Sequence, residues 1–195
     1  MSAANEQDNF FTMACYFEGC LILVAVVLGW IAGIDPFVHL HFSERAIIYG
    51  IMGTAPLFLL FLALYRLPFD ALREIHQILD ETLGASLQRC HWTDLLVLAS
   101  IAGIAEELLF RGVIQPWMES SWGMSAGLLG NNILFGLVHA VTPLYALLAG
   151  LVGIYLGLFL DYGGTRNLLT PMVIHAAYDF LAFLVILRGY RKNNL

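Results

Sequence analysis

The sequence predicts an all-α membrane protein: a polytopic bundle of about six transmembrane helices with an interfacial amphipathic helix. Three observations carry that reading. Of 195 residues, 59% are hydrophobic and only 12% are charged, against about 45–50% and 25% in ordinary soluble domains; mean hydropathy is +0.77. The apolar residues gather into runs of about 20, the length that crosses a hydrocarbon core. No stretch shows the strict alternation of a half-buried strand. A soluble globular enzyme and a disordered chain are excluded on these grounds. Nine Lys+Arg against fifteen Asp+Glu give a formal net charge of −6, which leaves no basic patch for nucleic acid.

The first span is expected near 14–34, with Glu18 its one charge, placed at the interface. The segment before it holds Glu6 and Asp8 and no Lys or Arg. It lacks the positive region of a cleaved signal peptide, so the first apolar run is expected to be retained. The second span, near 46–65, is uncharged and has Pro56 as a kink. Residues 67–92 follow, with Leu72, Ile75, Ile78, Leu79 and Leu83 on one helical face and Arg73, Glu74, Asp80 and Glu81 on the other. That pattern suits a helix on the membrane surface or one packed on its own protein. The third span, near 94–117, contains Glu106, Glu107 and Arg111. Residues 120–160 contain no Asp, Glu, Lys or Arg, and their length requires two helices, near 124–141 and 144–161, divided at Thr142-Pro143. The sixth runs near 171–188, with Thr170 as N-cap and Pro171 at the first position. The whole chain, 1–195, reads as a single membrane domain.

With six spans both termini share a side. That side collects Arg66, Arg73, Arg89, Arg188, Arg191 and Lys192, and the other only Arg45 and Arg166. The positive-inside rule makes it the cytoplasmic side of a multi-pass protein of the cell (inner) membrane. Cys15, Cys20 and Cys90 form no CxxC and suggest neither a disulfide framework nor a zinc site.

Charge inside an apolar span needs a reason, because each buried charge costs at least about 2.5–3.5 kcal/mol on insertion scales. Glu107 and Arg111 are four residues apart on one helical face and can pair. Glu106 points about 100° away and lacks that partner. Phe135 and His139 share a face of the fourth span, with Asn132 on the same stripe. His175 and Asp179 are four apart on the last. A glutamate, two histidines and an aspartate on three helices are the ingredients of a bundle-core active site. Depth opposes the grouping. From the centres of the expected spans, Glu106 and Asp179 lie mid-membrane, His139 about 9 Å toward one face and His175 about 6 Å toward the other. Convergence requires tilted or broken helices, or span boundaries displaced by a turn, and a shared site requires the Glu106 carboxyl within about 8 Å of His139 or His175.

The ordered motifs E-E-x-x-x-R (Glu106 to Arg111), F-x-x-x-H (Phe135 to His139) and H-x-x-x-N/D (His175 to Asp179) resemble the CPBP family of intramembrane glutamic endopeptidases. That family includes the CAAX-processing endopeptidases and the bacteriocin-processing Abi proteins. The resemblance covers residues 94–188. It implies a peptide bond of a membrane-anchored or lipid-modified substrate hydrolysed by water, with Glu106 as catalytic glutamate and His139 helping to hold that water. It further implies Glu107 and Arg111 as the supporting pair, His175 and Asp179 as stabilisers of the oxyanion, and no metal or other cofactor. Many members carry Asn at the last position. An ionised Asp179 cannot donate a hydrogen bond, so it is either protonated or orients His175.

Two other classes compete. A metal-dependent intramembrane protease would use the same Glu, His and Asp types as ligands, but HExxH is absent. A small transporter or membrane scaffold would use buried ionisable groups for solute or proton passage, but no internal repeat is visible and the unpaired Glu106 is unexplained. Gly123-Met124-Ser125-Ala126-Gly127 matches G-x-S-x-G without the strand-turn-helix that motif requires, so Ser125 is expected simply to begin the fourth helix.

Overall fold

The computed structural model describes residues 3–194, and side chains from Phe10 onward. Among the described residues there are helices and no strand. We number them α1 (Ala3–Ala32), α2 (Glu44–Arg66), α3 (70–87), α4 (92–122), α5 (Met124–Val138), α6 (Pro143–Phe159) and α7 (Leu169–Asn194). α3 is Asp70–Leu79 continued through a π turn, Asp80–Gly84, into Ala85–Leu87. α4 is likewise Trp92–Leu109, a π turn at Phe110–Ile114, and Gln115–Trp122. The amphipathic segment and six apolar helices stand in the expected order.

Three of the six are long and apolar enough to cross a membrane: Phe10–Ala32, Glu44–Arg66 and Leu169–Asn194. α4 has the length but carries Glu106, Glu107 and Arg111 in its middle. α5 and α6 are short. Their 15 and 17 residues correspond to about 22 and 26 Å of helix, less than the roughly 30 Å of hydrocarbon. Neither is long enough by itself to span that thickness, and His139 caps α5 at the turn between them.

Local chemistry accounts for the ends. His91 caps α4 by accepting from the Thr93 N–H, and Asp94 Oδ2 accepts from the His91 N–H at 2.8 Å. Gly123, with φ +86°, reverses the chain between α4 and α5, a backbone setting that a side chain would resist. Thr142 Oγ1 accepts from the Tyr145 N–H at 3.1 Å, and Pro143 opens α6, as its sequence announced. The last helix begins earlier than expected. Asn167 Oδ1 accepts from the Leu169 N–H at 3.0 Å, so Asn167 does the capping, while Thr170 lies buried inside the first turn. The loop beyond α1 is drawn onto this end, with the Leu168 N–H donating to His39 O at 2.8 Å and Asn167 Nδ2 to His41 O at 3.0 Å.

Small residues set the helix spacing. A Cβ on Gly103 would lie 2.8 Å from the Ala176 backbone N, so α4 and α7 touch almost backbone to backbone one turn from Glu107. A Cβ on Gly136 would lie 2.5 Å from the Ala146 carbonyl, and Gly153 and Gly157 admit Asn132 and Leu128 of α5. α5 and α6 thus close as a tight hairpin of the small-xxx-small kind. Gly136→Val should therefore lower the thermal midpoint of the purified protein by roughly 2–10 °C, the effect of about 1–3 kcal/mol of overpacking. An unchanged midpoint in a thermal melt would show that the hairpin is looser than described.

Candidate active site

Arg111 has no exposed surface, so its guanidinium must find acceptors locally. Its Nη1 donates to Glu107 Oε1 at 2.9 Å. Its Nη2 donates to Asn132 Oδ1 at 3.0 Å and to the Gly153 carbonyl at 2.7 Å. The Phe135 ring lies beneath it, 4.7 Å from Cζ to centroid. One cation thereby links α4, α5 and α6. Gly153 matters twice, since its missing side chain makes room for Asn132 and leaves its carbonyl open to the arginine.

Glu107, also fully buried, carries the order onward. Its Oε1 accepts from His175 Nδ1 at 2.8 Å. Because that oxygen also accepts from Arg111, the carboxylate is ionised and Nδ1 carries the proton. The other ring nitrogen, Nε2, faces Asp179 Oδ2 at 3.4 Å and Glu106 Oε2 at 3.9 Å. His139 enters from the end of α5, with Nδ1 against its own Phe135 carbonyl at 2.8 Å. A carbonyl only accepts, so Nδ1 bears hydrogen and Nε2 turns to Glu106 Oε2 at 3.5 Å. The Phe135 ring stacks on His139 with centroids 4.3 Å apart and fixes its plane.

All six sequence-predicted residues therefore meet. Glu106 lies within the expected reach of both histidines, and the depth conflict has a simple resolution. The third span was placed at 94–117, but α4 continues to Trp122 and turns at Gly123 into α5. Glu106 precedes that turn by about as many residues as His139 follows it. In an antiparallel hairpin this sets the two at one height. The sixth helix extends well beyond 171–188 at its C-terminal end and reaches Asn194, so its span centre is a poor guide to the depth of His175.

Glu106 is 8% exposed, and its Oε2 has no hydrogen-bond partner among the described residues. It lies on a cavity of about 430 Å³, together with Phe135, His139, His175 and Asp179. Two tyrosines, Tyr145 of α6 and Tyr178 of α7, also line the cavity. The remaining wall is apolar, from Leu57, Leu60 and Phe61 of α2, Leu72, Ile75 and Leu79 of α3, and Leu148, Leu151 and Val152 of α6. α3 therefore packs on its own protein with Leu72 and Ile75 buried, as one wall of this cavity. His76 of α3 is at the same wall, 4.3 Å from the Tyr65 ring. Burial holds its imidazole below the ordinary value, so it is neutral near pH 7. Among the described residues no group of three His, Cys, Asp or Glu has the arrangement of a metal site.

Three residues in or near the site were not foreseen. Glu18 was placed at an interface, but α1 runs from Ala3 to Ala32 and brings Glu18 to mid-span. There its Oε2 is buried without a partner among the described residues, within electrostatic reach of Glu106, Asp179, His175 and His139. A single carboxyl three residues from Cys15 gave no periodic signal; only its position within a longer helix reveals it. Tyr145 gave no signal either, since an aromatic residue just after a Thr-Pro cap is ordinary near an interface. Tyr178 was visible only as the neighbour of Asp179.

Loss of the central cation should be costly. Arg111→Ala leaves Glu107 charged and unpaired, and should destabilise the protein by about 3–5 kcal/mol. The double variant Glu107→Gln/Arg111→Met removes both charges and should recover much of that loss in chemical unfolding. Equal destabilisation by single and double variants would show that the pair is not the unit described.

Residues 88–181 match the family described as type II CAAX prenyl endopeptidase Rce1-like. No curated protein and no solved structure gives a significant match. The matched residues, a little under half of the chain, hold every member of the Glu106–Glu107–Arg111–His139–His175–Asp179 constellation, and over this segment the chain is similar to the CPBP family of CAAX proteases, which are membrane endopeptidases.

Proposed function

We propose that the protein is an intramembrane endopeptidase of the glutamic type, hydrolysing a peptide bond of a membrane-anchored or lipid-modified substrate with water activated by Glu106 and His139. The observation that carries this reading is the setting of Glu106. It is a buried carboxylate with a free oxygen, facing two imidazoles on the floor of a cavity, while its neighbour Glu107 is neutralised by Arg111.

The 3.5 Å between Glu106 Oε2 and His139 Nε2 is long for a direct hydrogen bond and suits two groups that share a water. His139, with its proton on Nδ1, offers Nε2 as an acceptor, so both groups can orient the water's hydrogens. Glu106 takes one proton as the water oxygen attacks the carbonyl carbon. The carbonyl π electrons move to oxygen; the tetrahedral intermediate then collapses, and the departing amine takes its proton from Glu106. His175 stands beside the carbonyl position, held by Glu107 on one nitrogen and by Asp179 near the other. With a carboxylate at 179, orientation of His175 is the part that side chain plays best.

The apolar wall supplied by α2, α3 and α6 favours a substrate that arrives from lipid, such as a prenylated C-terminal peptide of the sort the family's description names. In this reading the chain acts as one membrane domain, its catalytic motifs lie within 94–188, and both termini are on the cytoplasmic side of the cell membrane. Glu106→Gln should lower cleavage of a prenylated CAAX peptide in lipid vesicles by about 10²–10⁴-fold while leaving the thermal midpoint unchanged. Wild-type rates should persist in excess chelator. A fully active Glu106→Gln variant excludes the mechanism, and chelator-sensitive cleavage supports a metal-dependent one instead.

A further inference from the structure

A hydrolysis of this kind generates negative charge on the former carbonyl oxygen, and the donors that meet this charge supply much of the catalysis. The polar atoms of the cavity can be assigned one at a time. His139 Nδ1 is committed to the Phe135 carbonyl at 2.8 Å. His175 Nδ1 is committed to Glu107 at 2.8 Å, and its Nε2 faces two carboxylates. Arg111 is engaged at both Nη groups and does not line the cavity. Tyr155 donates its hydroxyl to the Gly53 carbonyl at 2.7 Å. Glu106 and Asp179, when ionised, donate nothing. Tyr65 and His76 also line the cavity without a hydrogen bond, but their rings pack on each other at the α2–α3 wall, where the charge they feel is that of Asp80 and not of Glu106 or Asp179.

Two donors remain. Tyr145 and Tyr178 both line the cavity, and neither hydroxyl hydrogen-bonds to another described residue. Their setting is close to the reacting groups: Tyr145 feels the charges of Asp179 and Glu106, and Tyr178 those of Asp179 and Tyr145. They reach the cavity from different helices. Tyr145 stands in the first turn of α6, pinned by its N–H to Thr142. Tyr178 stands on α7, edge-on to Phe61 with centroids 6.1 Å apart. Phenols suit this task, because they donate a proton in a hydrogen bond without losing it and can be held rigidly by their rings.

We infer that the Tyr145 and Tyr178 hydroxyls are catalytic residues that donate hydrogen bonds to the oxyanion formed on the substrate carbonyl. The inference rests on the proteolytic reading above. No new covalent step is added: the electron pair that moves to oxygen on attack of the water is held by two O–H donors, and it returns to reform the carbonyl as the amine leaves. Such donors are the more necessary when Asp179 is ionised, since that carboxylate would repel the oxyanion.

The test uses the full-length protein in lipid vesicles with a fluorogenic farnesylated CAAX peptide. Tyr145→Phe and Tyr178→Phe keep the rings and remove only the hydroxyls. Each should lower kcat by about 10–100-fold, and the double variant by more, in line with losses seen on removing one oxyanion donor. KM and the thermal midpoint should stay near wild type, because a donor to the transition state contributes little to ground-state binding. A double variant with wild-type kcat overturns the inference, as does a loss confined to KM. If Glu106→Gln abolishes cleavage while both tyrosine variants remain fully active, only the oxyanion assignment fails. Failure of the wild type to cleave a panel of membrane-anchored peptides, prenylated or not, overturns the proteolytic reading and this assignment with it.

Discussion

The guanidinium of Arg111, fully buried in the middle of a membrane bundle, is the constraint on which the site depends. Lipid offers it no acceptors, so the chain must. It is served by a carboxylate one turn back on its own helix, an amide from α5 and a backbone carbonyl from α6. Each acceptor imposes something. Asn132 must lie against α6, which requires a glycine at 153. The carbonyl of Gly153 must turn toward α4. Glu107 must stay ionised, and its shared oxygen then fixes the proton of His175 on Nδ1. A single buried charge thus sets the spacing of three helices and the tautomer of a fourth helix's histidine. An apolar residue of the same volume would cost less to bury, but would impose none of this order.

Helix register does the rest. Glu106 and His139 are far apart along the chain, yet the reversal at Gly123 makes them opposite members of an antiparallel pair. The short α5 then ends at that height. A helix long enough to cross the bilayer would place position 139 inside a regular turn, with its backbone groups satisfied internally. Ending there leaves His139 as the cap, its ring free to bond back to the Phe135 carbonyl and to lie on the Phe135 ring. The π turn at Phe110–Ile114, which adds a residue to the turn containing Arg111, belongs with the same adjustments, since such turns recur where side chains must be re-aimed.

The sequence made the bundle legible because apolar runs of about 20 residues have few interpretations. It also singled out the six ionisable residues that the fold brings together, since ionisable groups are expensive in lipid and are kept there only with cause. Depth was not legible. The length of α4 is hidden by its polar end, where Glu119 pairs with Arg166 at 2.7 Å and looks, in sequence, like a loop residue. Glu18 was obscured in the same way, because the helix that carries it starts before its apolar run. The unforeseen tyrosines were hidden for another reason. An aromatic hydroxyl in a membrane protein is cheap to place at an interface, so its presence carries no cost signal and becomes informative only when its partner is sought and not found.

The two adjacent glutamates show how one helix separates structural from chemical work. Consecutive side chains diverge by about 100°, so Glu107 faces Arg111 and the packed interior while Glu106 faces the cavity. Glu107 is saturated on one oxygen by Arg111 and His175 and has no exposed surface. Glu106 keeps an unbonded oxygen and approaches imidazoles that are already oriented by other groups. If the pair were exchanged, the carboxylate facing the cavity would be locked in a salt bridge and could not serve as the base of the proposed mechanism. The order Glu106-Glu107 with Arg111 four residues beyond the second is therefore the arrangement that lets a buried ion pair be built without neutralising the residue beside it.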